Sequence, residues 1–473
     1  MRTDLPPLRF HNTLSGATEL FTTLSGNVVK MYNCGPTVYD RAHIGNLRAF
    51  VFANTLRRTL DVWKYNVKQV INITDVGHLV SDADDGEDKM EKSAKKRGLS
   101  AQEIAKEITE LFFADLDLLG IDREQIQFPR ATEYIAEQIA LVQTLEEKGY
   151  AYVIADGVYF DTARFVGYGK LGNINIDEQK EGARVEENTE KRNPSDFALW
   201  KLSPKGEQRQ QEWESPWGVG FPGWHIECTA MIFTLLGKQI DIHTGGIDHI
   251  PVHHNNEIAQ AEAATGKQYV RYWMHGAFIT IENKRIGKSV GNTIYLQSIV
   301  DRGYSPRALR YWALTGHYRT PMNFTWDALE GANTALKNLS RYVLEGVDEK
   351  VAPDATFLVD FYAAIANDLD TPKAIARVWE MVKDADLSPS SKHASLLTAD
   401  QVLGLGLADA QPTVKIDFIP FETLPEQVRA IISARQQARK EKDFALSDKL
   451  RKQLAQLGYE VTDTADGQQI VKK

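Results

Sequence analysis

Apolar positions cluster in "GNVVKMYN", a Gly/Pro loop follows in "CGPTVYDRAHIGN", and "LRAFVFANTLRRTL" spaces its apolar residues as an amphipathic helix. The next apolar run is "VKQVINIT", Val67 to Thr74. Strand, loop, helix, strand predicts a parallel βαβ unit, whose ligands sit beyond the carboxyl ends of its strands. A second unit is predicted from "KQIDIH" as strand, "TGGIDHIPVHH" as loop and "NNEIAQAEAATG" as a helix with a glycine stop. Two half-sheets so far apart predict one α/β nucleotide-type fold with an insertion, roughly Arg123 to Pro222, that mixes the helix "EYIAEQIALVQTLEEKGY" with short strands and polar turns. After about Asp301 the pattern turns helical, "DAQPTVKIDFIP" reads as a linker, and the tail places Leu446, Leu450, Leu454 and Leu457 on one helix face. The charge run Ser81–Gly98 is expected to be a mobile loop. It does not fit a calcium loop, because a start at Asp82 puts Gly86 at position five rather than six.

At 473 residues and 43% hydrophobic, the chain can bury large cores in two to four domains. No apolar run approaches the ~20 residues that span a bilayer, and "MRTDLPPLRFHNTL" lacks a secretory apolar stretch, so a cytoplasmic protein with no membrane role is expected. The net charge of −9 argues against nonspecific coating of nucleic acid. A local basic face remains open, since Glu426–Lys473 holds ten Lys/Arg against seven Asp/Glu. Two cysteines are too few for a disulfide framework; in a reducing compartment such thiols bind metal, react or fill a core.

"PVHHNNE" puts His253 and Glu257 four apart at a predicted helix start, hence on one face. With Cys34 and Cys228 they would make a tetrahedral set of two thiolates, one imidazole and one carboxylate. Each residue taken alone reads as ordinary packing, and His254 competes with His253 for the imidazole position. "HIGN", His43 to Asn46, opens a helix directly after a strand, where backbone N–H groups attract phosphate and side-chain donors can stabilise charge on phosphorus under attack. "ENKRIGKSVGN" suggests a Walker A loop through Gly287-Lys288-Ser289, but Glu282 stands where its first glycine belongs, so that reading fails. Lys284, Arg285 and Lys288 still suit a triphosphate. In "GGID" the glycines admit a nucleoside, and Asp248 can accept from ribose hydroxyls.

These pieces resemble a class I aminoacyl-tRNA synthetase, with "HIGN" standing for the HIGH signature and "RIGKS" for KMSKS. More narrowly, "CGPTVYDRAHIGN", "PGWHIEC", "HHNNEIAQ", "YWMHGAFI", "HYRTPMNF" and "ARKEKDFALSDKLRKQLAQLGYEVTDT" resemble the cysteinyl-tRNA synthetases, in order from about Met31 to the C-terminus. The resemblance implies zinc on Cys34, Cys228, His253 and Glu257, one ion per chain, and magnesium with ATP. It implies catalytic roles for His43, Asn46 and Lys288 and an ATP site of His43, Gly45, Asn46, Gly245, Asp248, Lys288 and Ser289. Thr74, Trp224 and His243 are expected to shape the amino acid pocket. Partners are expected to be tRNA(Cys), ATP and L-cysteine, and the chain a monomer. A zinc-bound thiolate would explain selection of cysteine over serine, which an apolar cavity rejects by only about a hundredfold.

The expected architecture is a Rossmann-like catalytic domain in two halves, 1–122 and 223–300, around a connective insertion, 123–222. A stem-contact region, 301–335, a DALR-like helical bundle, 336–412, and a C-terminal anticodon-binding domain, 413–473, are expected to follow. Asn46 departs from the second histidine of HIGH, and Arg285, Ile286 and Gly287 depart from Lys, Met and Ser of KMSKS. Two rivals share some of these features: a ligase joining cysteine to an amino sugar, which usually lacks the basic tail, and an inactive paralogue that binds tRNA or nucleotide.

Overall fold

The computed structural model describes residues 5–76, 89–174, 189–204, 206, 209–287, 290–345, 351–410, 421–441, 443–464 and 467–472. It divides into two compact units, Met1–Ala410 and Gln411–Lys473. At the centre of the first lies a five-stranded sheet in the order Val270–Gly276, Ile240–Gly246, Val28–Asn33, Asn66–Ile71, Ile126–Gln127. Every pairing in it is parallel. The apolar runs are the strands because both faces are covered, and Val29, Met31, Ile240 and Ile242 are all fully buried.

The strand order sets the position of the site. Val28–Asn33 pairs on one side with the next strand in the chain and on the other with a strand more than two hundred residues later. That reversal is a topological switch point, where a crevice opens at the carboxyl ends. Cys34 leaves the first strand there, its N–H donating to Thr244 O at 3.1 Å.

Ile126–Gln127 lies inside the range expected for the insertion but pairs in register with Gln69 and Val70, so the central sheet extends past Arg123. Two residues are too short for a strand pattern to be visible in sequence. The inserted strands Ala151–Ile154, Gly157–Phe160, Phe197–Leu202 and Gly220–Pro222 form an antiparallel sheet. The helix Ile135–Glu147 shares its core through Leu141, Val142 and Leu145 against Val158, Phe160, Leu199 and Trp200.

Helices follow at Pro306–Leu314, Trp326–Glu345, Ala355–Ala366, Thr371–Lys383 and Pro389–Leu403. Of the charge run expected to be a loop, the part up to residue 88 lies outside the described residues; the rest is a helix, Lys89–Arg97, anchored by Met90 at 1% exposure. In the second unit, helices Glu426–Lys440 and Phe444–Gln456 and a hairpin, Tyr459–Thr464 with Gly467–Lys472, enclose Leu424, Val428, Ile432, Leu454, Val461 and Ile470. Only Leu454 of the expected leucine face is fully buried; Leu446 and Leu457 are 42% and 40% exposed, because the unit is too small to cover a four-turn stripe. Among the described residues no helix is long and apolar enough to cross a membrane.

Candidate metal centre and nucleotide site

Three segments converge at the switch point. Cys34 follows the Val28 strand, Cys228 lies in the helix Trp224–Leu235, and His253, His254 and Glu257 come from the segment after the Ile240 strand. That segment makes one π-helical turn, Ile250–His254, and runs directly into the helix Asn255–Thr265. The wide turn directs both histidines inward, leaving His253 2% and His254 0% exposed.

The ligand atoms of Cys34, Cys228, His253 and Glu257 all lie within 4.8 Å of one another. A second group, Cys34, His243, His254 and Glu257, satisfies the same condition. The expected i,i+4 pair is formed, with His253 Nε2 3.1 Å from Glu257 Oε1. His254 instead places Nε2 3.3 Å from Cys34 Sγ and Nδ1 2.7 Å from His275 Nε2. His243 Nε2 is 3.1 Å from Glu257 Oε2. Tyr269 donates its hydroxyl to the same oxygen at 3.4 Å.

The electrostatics follow from burial. Burial drives the Cys34 thiol well above its ordinary range, with Cys228 beside it adding to the rise. The Cys228 thiol is held down at about 6, chiefly by its hydrogen bond with Cys34 and then by His253. Burial opposes charge on His253, yet Cys228 and Glu257 together lift it to about 10. Burial likewise opposes the Glu257 carboxylate, and His243 and His253 outweigh it, holding it at about 2. A lowered thiol and a lowered carboxyl thus lie beside a raised imidazole, each favouring the charged form of the other deep inside the protein. Two thiols, an imidazole and a carboxylate at this spacing are the donor set of a zinc site, and the arrangement fits that ion.

Sequence reasoning did not single out the surrounding histidines. His225 Nδ1 is 3.0 Å from His253 Nδ1, and His249 packs its ring against both His253 and His254. His275 bridges His254 to the Thr13 hydroxyl, Nδ1 to Oγ1 at 2.7 Å. Six of the chain's eleven histidines meet here. Residue type was the only signal for His225, His249 and His275, because they come from separate elements.

The expected pocket residues differ in their placement. Trp224 stacks on His253 with ring centroids 4.5 Å apart, and Trp273 stacks on His243 at 4.7 Å. Trp224 thus borders the first candidate group, and His243 belongs to the second and faces Glu257. Thr74 accepts from Asn72 Nδ2 at 2.9 Å and donates to Glu227 Oε2 at 3.4 Å, one residue before Cys228. Gly245 packs so closely that an added Cβ would come within 2.6 Å of His249 Nδ1 and of His254 Cε1. Asp248, at the start of the following turn, acts electrostatically on both Cys34 and His249.

At "HIGN" the structure changes the expected phosphate contact. His43 is the N-cap of the helix Ile44–Val62, and its Nδ1 accepts from Gly45 N at 3.1 Å and Asn46 N at 3.3 Å. Ile44 N donates to Ile294 O, so the first-turn amides expected to meet phosphate are already occupied. In return Asn46 Oδ1 accepts from His43 N at 3.1 Å, completing a capping box. With Nδ1 an acceptor, neutral His43 carries its proton on Nε2, and Asn46 keeps its amide hydrogens as donors.

The "RIGKS" segment begins in a hairpin, Ile279–Ile281 with Lys284–Arg285, turned by Glu282 and Asn283 at φ +48° and +61°. The Ile286 methyl lies 3.1 Å from where a Cβ on Gly45 would stand, so this segment meets "HIGN". Lys288 and Ser289 lie outside the described residues.

Residues 20–334 match the family described as tRNA synthetases class I (C) catalytic domain, and residues 422–470 match the cysteinyl-tRNA ligase anticodon binding domain. Among solved structures, a Mycobacterium tuberculosis methionyl-tRNA synthetase bound by methionyl-adenylate aligns over 89% of this chain and 96% of its own with a TM-score of 0.56. At 13% identity that likeness shows the class I fold. The curated relatives are nearer: a cysteine--tRNA ligase 1 of Burkholderia lata is 48% identical, covering 98% of this chain and 97% of its own. One of Treponema denticola is 41% identical, covering 97% and 98%. The chain belongs to the cysteine--tRNA ligase family. The anticodon-domain match disfavours the amino-sugar ligase reading.

Proposed function

We propose that this chain activates L-cysteine with ATP and transfers it to the 3′ end of tRNA(Cys). Convergence of both cysteines, His253 and Glu257 at the switch point beside the "HIGN" helix is the observation that carries the reading. Cys34, Cys228, His253 and Glu257 would hold zinc, because this set uses both thiols; the alternative set would leave the buried Cys228 thiol unused. Bound there, zinc supplies a ligand position that a substrate thiolate fills and a hydroxyl fills poorly.

Trp224 and His243 form walls of the cysteine pocket, and Thr74 steadies Glu227 beside it. The substrate carboxylate oxygen attacks the α-phosphorus of ATP, forming the mixed anhydride as the bond to pyrophosphate breaks. The His43 Nε2–H and the Asn46 amide donate to α-phosphate oxygens as charge gathers there. Asp248 accepts from the ribose, Gly245 and Gly45 border the nucleotide with their backbone, and Lys288 and Ser289 meet the departing pyrophosphate with its magnesium. The terminal ribose hydroxyl of the tRNA then attacks the cysteinyl carbonyl, AMP leaves, and the hydroxyl proton passes to the AMP phosphate. The 413–473 region contacts the anticodon.

Cysteine-dependent ATP–pyrophosphate exchange followed by charging of tRNA(Cys) tests this. Exchange without charging would leave a cysteine-activating enzyme that is not a tRNA ligase. Absence of both, or equal exchange with serine, would overturn the reading.

A further inference from the structure

Arg48 lies two residues beyond Asn46 on the same helix, yet it is buried, at 6% exposure. All four of its hydrogen bonds go to backbone carbonyls. Nη1 donates to Ala277 O at 2.9 Å and Phe278 O at 3.1 Å; Nη2 donates to His317 O at 3.0 Å and Thr320 O at 2.8 Å. Each terminal nitrogen thus holds one segment. Among the described residues no carboxylate pairs with it, and burial lowers its pKa to about 10. A buried cation without a counter-charge is costly to fold around, and a compact neutral side chain could not bridge two segments.

The two segments frame the hairpin that leads into "RIGKS". Ala277 and Phe278 immediately precede its first strand, Ile279–Ile281, which pairs in parallel with Met322–Phe324, the strand that follows Thr320. At the far end Ile294 O accepts from Ile44 N, so both ends of the 277–294 segment are fixed to the helix that carries His43 and Asn46. The 317–320 loop is held from its other side as well. His317 Nε2 donates to Asp368 O at 2.9 Å, and Tyr318 and Arg319 donate to the Asp368 carboxylate at 2.7 and 2.8 Å.

We propose that Arg48 is a positioning residue for adenylate formation: by holding 277–278 and 317–320 against the "HIGN" helix, it sets the register of the hairpin relative to His43 and Asn46. The inference rests on the proposed activation of cysteine. It predicts damage to the transition state more than to cysteine binding, since the metal group comes from other elements. Misplacement of reacting groups by about 1 Å can cost ~100-fold in rate.

The test is single-turnover adenylate formation by the full chain with Arg48→Gln and Arg48→Lys, the burst amplitude giving the active fraction. The rate constant per active site should fall about 100-fold in the Gln variant and about tenfold in the Lys variant, which restores the cation without the fork. The KM for cysteine should stay within about twofold of wild type. Rate constants near wild type in both variants, with only amplitude or thermal midpoint reduced, would show that Arg48 serves folding alone and overturn the proposal. Wild-type protein forming no cysteinyl adenylate would instead overturn the activity on which it rests.

Discussion

At the scale of single residues, the metal group separates side chains that look equivalent in "PVHH". His253 meets Glu257 and has His225 behind it, whereas His254 is engaged by His275 and reaches Cys34 Sγ through Nε2. An outer partner of this kind orients a ligand without being one. Elemental analysis of purified variants should therefore find His253→Ala and Cys228→Ser depleted of zinc, with KM for cysteine raised at least ~100-fold and KM for ATP little changed. His254→Gln should retain the ion. Zinc lost from His254→Gln and kept in His253→Ala would select the other donor set. The four residues proposed as ligands were visible in the sequence as types capable of binding metal. Spacing favoured His253 over His254, but their different surroundings were not legible, because they depend on a π-helical turn that no residue pattern announces.

At the scale of elements, the apolar runs located the βαβ halves correctly because parallel strands are buried on both faces and leave continuous hydrophobic stretches. Ile126–Gln127 was not legible, being placed by pairing rather than by its own pattern. "HIGN" was legible as a helix start but not as a cap that consumes its own amides. Because Asn46 both accepts at the N-cap and offers donors outward, substitutions can separate the two roles. Asn46→Asp keeps the acceptor and adds charge that suits a helix N-terminus, so its thermal midpoint should stay near wild type. Pyrophosphate exchange should nevertheless fall ~100-fold as the carboxylate repels the α-phosphate. Unchanged exchange would remove Asn46 from the site. A second helix end tests packing: Gly404 closes the helix Pro389–Leu403 at φ +65°, and a Cβ there would lie 2.5 Å from Nη2 of the buried Arg310. Gly303, at φ +80°, has open space around it. In denaturant titrations Gly404→Ala should cost ~2–3 kcal/mol and Gly303→Ala about 1 kcal/mol, the difference measuring the displacement of Arg310.

At the scale of the whole molecule, the division after Ala410 reflects where cores close. The C-terminal unit packs Leu424, Val428, Ile432, Leu454, Val461 and Ile470 around a hydrophobic centre of its own, and residues of the switch point belong to clusters in the first unit. On the proposed reading adenylate formation draws its groups from the first unit, whereas tRNA is a ligand long enough to engage a second surface. Two tethered binding surfaces can exceed either alone by ~10²–10⁴-fold in affinity. A chain ending at Ala410 should therefore fold, hold zinc and form cysteinyl adenylate within about threefold of the full-length rate, while charging at limiting tRNA(Cys) falls at least ~100-fold. Raising tRNA concentration should recover much of the loss, because the transfer chemistry resides in the retained unit. Loss of adenylate formation in that truncation would place an activating group beyond Ala410, and full charging at limiting tRNA would deny the second unit its part in recognition.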